Sequence, residues 1–369
     1  MELENINEAW DNFVNIDGNI QDDTNYNNDS KSLIKSYDYD TVSTDINSQL
    51  SKSKLPKCSE LHISTKTKIA HLNQSINLDD IFWKLKVIEY SNPICGIIKK
   101  QMKINSTTKD ELDEILLKLK QEDRFINQNV ISHIENPNGR VKFRDIRKVN
   151  IGIAKKDIES YRCKIKSAFY NCFVLIIRIN HENKFKELHV KVFNTGQLEI
   201  PGIQSDEMFE NVMSVLLINL QPLVPNIIDY DKSKTETILY NSNFNCGYFI
   251  NRDKFFHLLK YKYKIQAIYD PCSYPGIQCK FYYNKSNIKD SMDGIKTDDA
   301  IDKISFMIFR TGSTLIVGKC DKKVLISVYE FLKNILNSEY SSIMQVMVNE
   351  EKKKKDKKRK IKKKILVTV

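Results

Sequence analysis

A strand–turn–strand signature occurs twice in this chain, and the duplication constrains the fold more than any other feature. The first copy reads LHVKVFNTGQLEIPGIQ at residues 188–204, and the second reads ISFMIFRTGSTLIVGKC at residues 304–320. In both copies Phe-x-Thr-Gly is followed by five residues and a second glycine. A chain that repeats a motif with fixed spacing repeats a supersecondary unit. We therefore expect two tandem copies of one small fold.

The likeness continues on both sides of the hairpins and predicts a repeated unit of strand, helix, three strands and helix. Apolar alternation predicts the strands, and apolar residues at helical spacing predict the helices. The helix after the first hairpin is predicted to begin at Ser205 as N-cap, and the one after the second near Asp321. The other matched segments are strands 61–70 and 237–249, helices 77–86 and 251–262, and strands 92–105 and 272–284.

Two such units side by side predict an α+β fold, in which a curved antiparallel sheet (a saddle) carries helices on its convex face. Composition sets the boundaries of the parts. Residues 1–58 predict a disordered acidic and polar tail, and residues 346–369 form a basic tail. The first repeat occupies 59–222 with a long insertion at about 106–187, and the second repeat occupies 223–345.

The net charge of +11 is distributed unevenly along the chain. Residues 1–50 hold eleven acidic residues and two lysines, whereas residues 352–364 hold eleven basic residues and one acid. The body between them is also basic, which suits a polyanionic partner. The lysine run predicts either a phosphate-seeking arm or a nuclear-import signal, and both remain open.

Motifs for enzymatic chemistry are missing from the sequence. It contains no P-loop, no G-x-G-x-x-G after a strand, no G-x-S-x-G and no H-E-x-x-H. The eight cysteines form no C-x-x-C pair, and no apolar run approaches the ~18–20 residues that span a bilayer. We therefore expect a non-enzymatic intracellular protein with reduced cysteines, no cofactor, no metal site and no membrane association.

The duplicated hairpin and the segment DPCSYPGIQCKF resemble the TATA-binding protein, whose saddle consists of two such repeats. The segments FNTGQLEIPGIQ, NSNFNCG and DPCSYPGIQCKFYYN more closely resemble the TATA-binding-protein-like factors of large nucleocytoplasmic DNA viruses. The resemblance covers about residues 60–340 and is stronger over 188–336 than over 60–105. It implies a general transcription initiation factor that bends A+T-rich double-stranded promoter DNA through the minor groove.

The resemblance also implies partners and a location. The partners would be a transcription factor IIB-like protein and an RNA polymerase, both of viral origin, and the hairpin at 309–318 is the edge that the family uses for such contacts. The location would be the site of viral transcription in the host cell, in a cytoplasmic factory or in the nucleus, or packaged in the virion.

In the second repeat, the resemblance assigns a role to each position on one strand face. Phe309 and Tyr274, with Pro275 beside it, match the aromatic wedges that unstack base steps; the TATA-binding protein itself kinks the duplex by ~80°. Asn241 matches the central amide that bonds base acceptors. The remaining groove-facing places, which share one strand parity, fall on Asn243, Met307, Leu315 and Val317.

The wedges of the first repeat match less well. Phe193 keeps one wedge, and the partner wedge falls on Ile94. An alternative remains open: if AFYNCFVLIIRI is the true second strand, Phe169 or Phe173 is the wedge.

The groove-facing positions of the first repeat also depart from the family. The central amide becomes Thr65, followed by Thr67, while Lys191, Glu199 and Pro201 replace residues that are usually apolar or Thr. A carboxylate facing the groove repels phosphate, so either Glu199 pairs with Lys191 or this half binds DNA loosely or in another way. Two alternatives to promoter binding remain open. The first is a saddle-shaped protein-interaction module that has lost specific DNA binding. The second is a nucleic-acid enzyme, which would need a catalytic domain that the sequence lacks.

Overall fold

The structure is a computed structural model, and it describes residues 56–159, 170–284, 293–296 and 302–345. The predictions for the acidic tail up to residue 55, for the basic tail from residue 346 and for Phe169 lie outside the described residues. Among the helices described, none is both long enough and apolar enough to cross a membrane.

Twelve strands in the described residues form one open sheet in which every pair of neighbours is antiparallel. The strands are β1 His62–His71, β2 Gly96–Ser106, β3 Ile126–Glu135, β4 Phe143–Gly152, β5 Cys172–His181, β6 Lys184–Phe193, β7 Gln197–Ile203, β8 Glu236–Asn245, β9 Gln266–Ile268, β10 Gly276–Tyr283, β11 Asp302–Phe309 and β12 Ser313–Gly318. Their order across the sheet is β3-β4-β2-β5-β6-β7-β1-β8-β12-β11-β10-β9.

The described α-helices lie between these strands in the chain, except for the last two, which follow β12. They are α1 Leu78–Lys84, α2 Lys109–Lys120, α3 Lys155–Glu159, α4 Asp206–Leu220, α5 Arg252–His257, α6 Lys322–Ser338 and α7 Tyr340–Ile343, and a π-helical segment Leu258–Lys262 continues α5. Ser205 is the N-cap of α4, as predicted, because its hydroxyl accepts a hydrogen bond from the amide of Met208 at 3.1 Å.

The two halves of the sheet repeat one strand order outward from its centre. The first half runs β1, β7, β6, β5, β2, and the second runs β8, β12, β11, β10, β9. Along the chain of each half, one helix follows the first strand (β1 or β8), and another follows the last strand (β7 or β12). The predicted α+β fold of two tandem repeats in one antiparallel sheet is therefore confirmed. Each repeat has one strand more than predicted: β9 of the second repeat is too short to give an apolar pattern, and β5 of the first repeat was assigned to the insertion.

The strand order also corrects the boundaries of the insertion. β5 pairs with β6 in the first half just as β10 pairs with β11 in the second half, so β5 belongs to the repeat. The inserted elements are α2, β3, β4 and α3, and the insertion ends before Cys172 rather than near residue 187. β3 and β4 continue the sheet beyond β2, which makes the first half two strands wider than the second.

Each half buries its own core between the sheet and its helices. In the second half, α6 buries Val324, Val328 and Leu332 against the even-numbered side chains of β11, among them Phe306 and Ile308. In the first half α4 packs in the same way against β5, β2 and β7, and contributes Met208, Phe209, Val212, Met213, Leu216 and Leu220. Each fully buried side chain of this kind contributes about 1.5–3 kcal/mol relative to exposure. The odd-numbered side chains of β11 and β12 consequently face the other side of the sheet.

Matching glycines shape the two hairpins. Gly196 and Gly312 have φ angles of 84° and 81°, which side chains rarely adopt. A Cβ at Gly196 would lie 2.3 Å from the carbonyl oxygen of Gln74, and one at Gly312 would lie 2.4 Å from that of Tyr248. The repeated Thr-Gly is thus a structural requirement, because each hairpin packs on the chain that leaves the first strand of its own half.

Candidate nucleic-acid interface

The same local contacts in the two halves establish which residues correspond. Each helix after a first strand begins at an asparagine: Asn77 accepts from the amide of Asp80 at 3.2 Å, and Asn251 accepts from that of Lys254 at 3.1 Å. The hairpin contacts of the two glycines give the same offset between the halves. This offset is set at the ends of the two first strands; farther along β1 its pairing with β8 is irregular between Ile63 and Thr65 and between Thr67 and Lys68.

The offset places a local twofold axis at the centre of the sheet. It makes Lys66 correspond to Tyr240, and these two residues are direct partners between β1 and β8. It also makes Thr67 correspond to Asn241, whereas the resemblance assigned the central place to Thr65. Thr65 lies directly opposite Asn241, next to the axis, while the partner of Thr67 is Leu239.

The predicted groove-facing residues of the second repeat lie together on the sheet face opposite the helices. Met307 is paired with Leu315, and Leu315 with Asn243. Val317 is paired with Asn241, and directly opposed residues in an antiparallel sheet share a face. The structure thus brings together the predicted set on β8, β11 and β12, while its contact with DNA stays a prediction.

Phe309 and Tyr274 form an aromatic pair at one end of this face. Their ring centroids are 6.0 Å apart at 60°, and the Tyr274 hydroxyl lies 3.0 Å from the sulfur of Met307. Phe309 is only 7% exposed, yet it is not among the core residues that pack under the helices of the second half. Burial raises the pKa of Tyr274 to about 12, so its hydroxyl stays protonated at neutral pH. The two rings therefore contact each other on the predicted face.

The backbone between the two rings fits this pairing. Gly276 lies opposite Phe309, and a Cβ there would come within 2.9 Å of the Phe309 ring and 3.0 Å of the Tyr274 ring. Pro275 is exposed beside Tyr274, and its carbonyl accepts a hydrogen bond from the guanidinium of Arg252. Arg252 thereby anchors the loop that carries the tyrosine.

The first half has aromatic residues at both corresponding positions, and the sequence analysis missed one of them. Phe193 is half-buried and lies opposite Cys172, as Phe309 lies opposite Gly276. The position two residues before Cys172 is Tyr170, which corresponds to Tyr274. Tyr170 is 48% exposed, and the Lys103 ammonium lies 3.8 Å from its ring centroid. A comparison of β5 with β10 could have revealed this tyrosine.

The placement of Ile94 beside Phe193 is wrong. Ile94 precedes β2, which pairs with β4 and β5 and not with β6. Its carbonyl accepts a hydrogen bond from Arg178 at 2.9 Å, at the end of β5 remote from Phe193. The open alternative chose the correct strand, but Phe173 is completely buried in the core of the first half.

Glu199 and Lys191 form an ion pair on the same face of the first half. They are direct partners between β6 and β7, and the ammonium lies 2.7 Å from the carboxylate. Of the alternatives open for Glu199, pairing with Lys191 is the one observed. Both side chains remain about 30% exposed, so the pair contributes little to stability, about 0–1 kcal/mol. Pro201 follows on β7 between Ile200 and Ile203, where the pairing of β7 with β1 is irregular.

Part of the first half's face is covered by the chain itself. Ile98 and Ile176 pack against Ala154, which precedes α3, and against Ile88 and Tyr90 from the segment before β2. This cover lies at the Arg178 end of β5, whereas Phe193 and Tyr170 lie at the opposite end. In the residues that the structure describes, the insertion thus narrows the face without closing its aromatic end.

In the ranges that the structure describes, no group of three or more His, Cys, Asp or Glu side chains is arranged to hold a metal ion.

Comparisons with known proteins agree with the resemblance seen in the sequence. The chain is 28% identical over 193 residues to a TATA-box-binding protein-like protein of Acanthamoeba polyphaga mimivirus, and the alignment covers 47% of this chain. It covers 50% of the relative, so the chain spans about half the length of the curated protein it matches. This similarity confirms the predicted resemblance to a viral protein of the TATA-binding type.

Two further comparisons provide less support for this resemblance. A solved structure, Methanococcus jannaschii TBP, aligns with a TM-score of 0.38 and 13% identity, over 77% of this chain and 99% of that chain. No family model matches the chain. The fold described above rests on the strand order and register of the chain itself.

Proposed function

We propose that this protein is a TATA-binding-protein-like transcription initiation factor that binds A+T-rich duplex DNA in the minor groove and bends it. The observation that carries the proposal is the second-half face, where the Phe309–Tyr274 ring pair adjoins Met307 and Leu315 and the amide of Asn241. The named viral relative and the basic body of the chain support it.

The residue types of this face suit the chemistry of the minor groove. That groove offers A·T pairs only as acceptors at N3 and O2, so it rewards shape, apolar contact and a few amide donors more than a dense hydrogen-bond code. Aromatic wedges unstack a base step at a cost of a few kcal/mol, which flexible TA steps reduce. Preference for A+T-rich sites would then come mainly from deformability.

The proposal extends to partners and place. A non-enzymatic factor of this kind would recruit a transcription factor IIB-like protein and RNA polymerase of viral origin, and would act where viral genes are transcribed. Arg310 and Thr311, at the tip of the second hairpin, are exposed and offer an edge for such a partner. The helix α4 has no basic residue in its last turn, and Asp206 and Glu207 lie in its first turn, so a partner docking there would be basic.

The test is DNA bending, measured by energy transfer between dyes at the two ends of short A+T-rich duplexes. Phe309→Leu and Tyr274→Leu keep apolar volume and remove the ring. We expect each to reduce the bend and to weaken binding about 5- to 160-fold, because loss of stacking on one base costs about 1–3 kcal/mol. Tyr261→Leu makes the same change at a 65% exposed tyrosine of the π-helical segment and serves as the control.

A second candidate function is supported by specific features of the first half. The Lys191–Glu199 ion pair and the packing of Ala154 over Ile176 make that half a poorer groove surface. They favour an interaction module that has kept the sheet and lost promoter binding. Unchanged bending in both ring variants, with thermal unfolding showing that they fold, would favour this module.

A further inference from the structure

The two strands added by the insertion carry a basic surface on the same sheet face as the proposed groove contacts. Lys103 on β2 is the partner of Lys148 on β4, and Asn129 on β3 is the partner of Lys148 on its other side. Asn105 accepts a hydrogen bond from Arg144 at 3.1 Å on this face. We call these five residues the basic flank.

The face assignment follows from the register. Val174 on β5 is the partner both of Lys191 on β6 and of Gln101 on β2. The face that carries Lys191 and Glu199 therefore continues through Gln101 to Lys103, two residues farther along β2. The basic flank thus prolongs the proposed DNA face sideways.

The charge of the flank is one-sided. β2 has no acidic residue, and the acids of β3 and β4, Glu135 and Asp145, point to the other face. Asp145 is there bound by Arg147 at 2.6 Å and by His133 at 2.9 Å. A cleft of about 380 Å³, lined by Lys103, Asn105, Arg144 and Tyr170, also borders on Asp79 of α1, which is the one acid beside it in the described chain.

The flank lies where a DNA backbone would pass. Strands are spaced 4.7–4.9 Å apart, so β2 and β4 lie about 5 Å and 10 Å to the side of β5. A duplex that lies along the proposed face and reaches Tyr170 beside β5 would therefore continue over β2 and β4. Lys103 also lies against the ring of Tyr170, so the flank adjoins the first-half aromatic pair.

We propose that the basic flank binds the phosphate backbone of the same duplex on the side of the first half, an inference that rests on the proposed DNA binding. It gives the inserted strands a function: they compensate for the weaker groove surface of the first half with sequence-independent contacts. Among the described strands the second half has no equivalent, because its sheet ends at β9. The added contacts are therefore on one side of the complex only.

The experiment compares the salt dependence of DNA binding in full-length variants. Arg144→Gln with Lys148→Gln removes two charges of the flank and leaves the Lys103–Tyr170 contact intact. The matched control, Lys118→Gln with Lys120→Gln, removes two charges from α2 of the same insertion, on the helical side.

We expect the slope of log K against log salt to fall by ~1.8 in the flank variant, since each phosphate contact contributes ~0.9. Between 50 and 200 mM salt this makes the flank variant lose ~12-fold less affinity than the wild type. The control should keep the wild-type slope. Hydroxyl-radical cleavage should show protection lost on one flank of the site only.

Bending is read in the same titration, so the two proposals are separated. A flank variant with the wild-type slope overturns the backbone contact, even where the wild type bends DNA. A reduced slope without any bending by the wild type supports the flank and overturns the bending. No measurable DNA binding by the wild type at low salt overturns both.

Discussion

The correspondence of Tyr170 with Tyr274 predicts that Tyr170 and not Ile94 is the DNA-contacting partner of Phe193. The two candidates form a matched pair, because Tyr170 is 48% and Ile94 46% exposed. Truncating either to alanine removes a half-exposed side chain, so each variant should fold with a loss of about 1 kcal/mol or less. A difference in DNA binding between them then reports contact with DNA and not stability.

The magnitude follows from stacking. Loss of one base–aromatic contact costs about 1–3 kcal/mol, which is a loss of about 5- to 160-fold in affinity. Tyr170→Ala should show this loss together with a smaller bend, whereas Ile94→Ala should stay within about twofold of the wild type. Tyr170→Phe keeps the ring over the Lys103 ammonium, and should bind nearly as the wild type does.

The assay is end-labelled energy transfer on one A+T-rich duplex, with affinity from fluorescence anisotropy at a fixed salt concentration. Thermal unfolding of each variant confirms that the fold is intact. A large loss in Ile94→Ala with none in Tyr170→Ala would refute the register argument, since that argument places Ile94 away from β6.

Three further predictions concern the fold that holds the face in place. Gly196→Ala and Gly312→Ala should each lower the free energy of unfolding, measured in urea, by about 2–4 kcal/mol. Both positions have a positive φ, and a Cβ at either would lie 2.3–2.4 Å from a carbonyl oxygen. A neutral result at either position would contradict the equivalence of the hairpins. Lys100 is fully buried, and its ammonium lies 3.0 Å from the carboxylate of Glu122. Lys100→Met should therefore lower the free energy of unfolding by about 3 kcal/mol, and adding Glu122→Gln should restore part of that loss. No recovery in the double variant would mean that the uncompensated carboxylate is not the cause of the loss. Burial raises the pKa of Tyr274 to about 12, so the contribution of this shift to stability is present below pH 10 and is lost between pH 10 and 12. Tyr274→Phe should make the loss of stability with rising pH shallower in alkaline unfolding curves. An equally steep loss in the variant would contradict this prediction.

The repeat could be predicted from the sequence because its signature has a physical cause in both copies. Thr-Gly at Gly196 and at Gly312 closes hairpins that leave no space for a side chain, so glycine recurs with the same neighbours. The N-cap residue Ser205 likewise predicted the start of the helix α4 correctly. These signals are local, and local signals survive in a single sequence.

The errors arose where the information is not local. Thr65 and Thr67 lie on the same face of β1, so a period of two cannot distinguish them. Only the N-caps Asn77 and Asn251 and the hairpin contacts set the offset between the halves.

The misplacement of Ile94 has a similar origin. The segment after it opens a strand with Gly-Ile, as the segment after Tyr274 does, but strand openings resemble one another whatever their neighbours. The insertion then moved the true partner strand β5 far along the chain, and sequence alone gives no register between distant strands.

The unequal width of the sheet has a consequence for direction. A sheet with two equal halves would bind a run of A·T pairs about equally well in either orientation, since such a run presents nearly the same groups on both strands. Two additional strands on one side remove that equivalence, and an energy difference of only 1.4 kcal/mol between the two seatings favours one of them tenfold. On a promoter bound as proposed, these two strands would distinguish upstream from downstream.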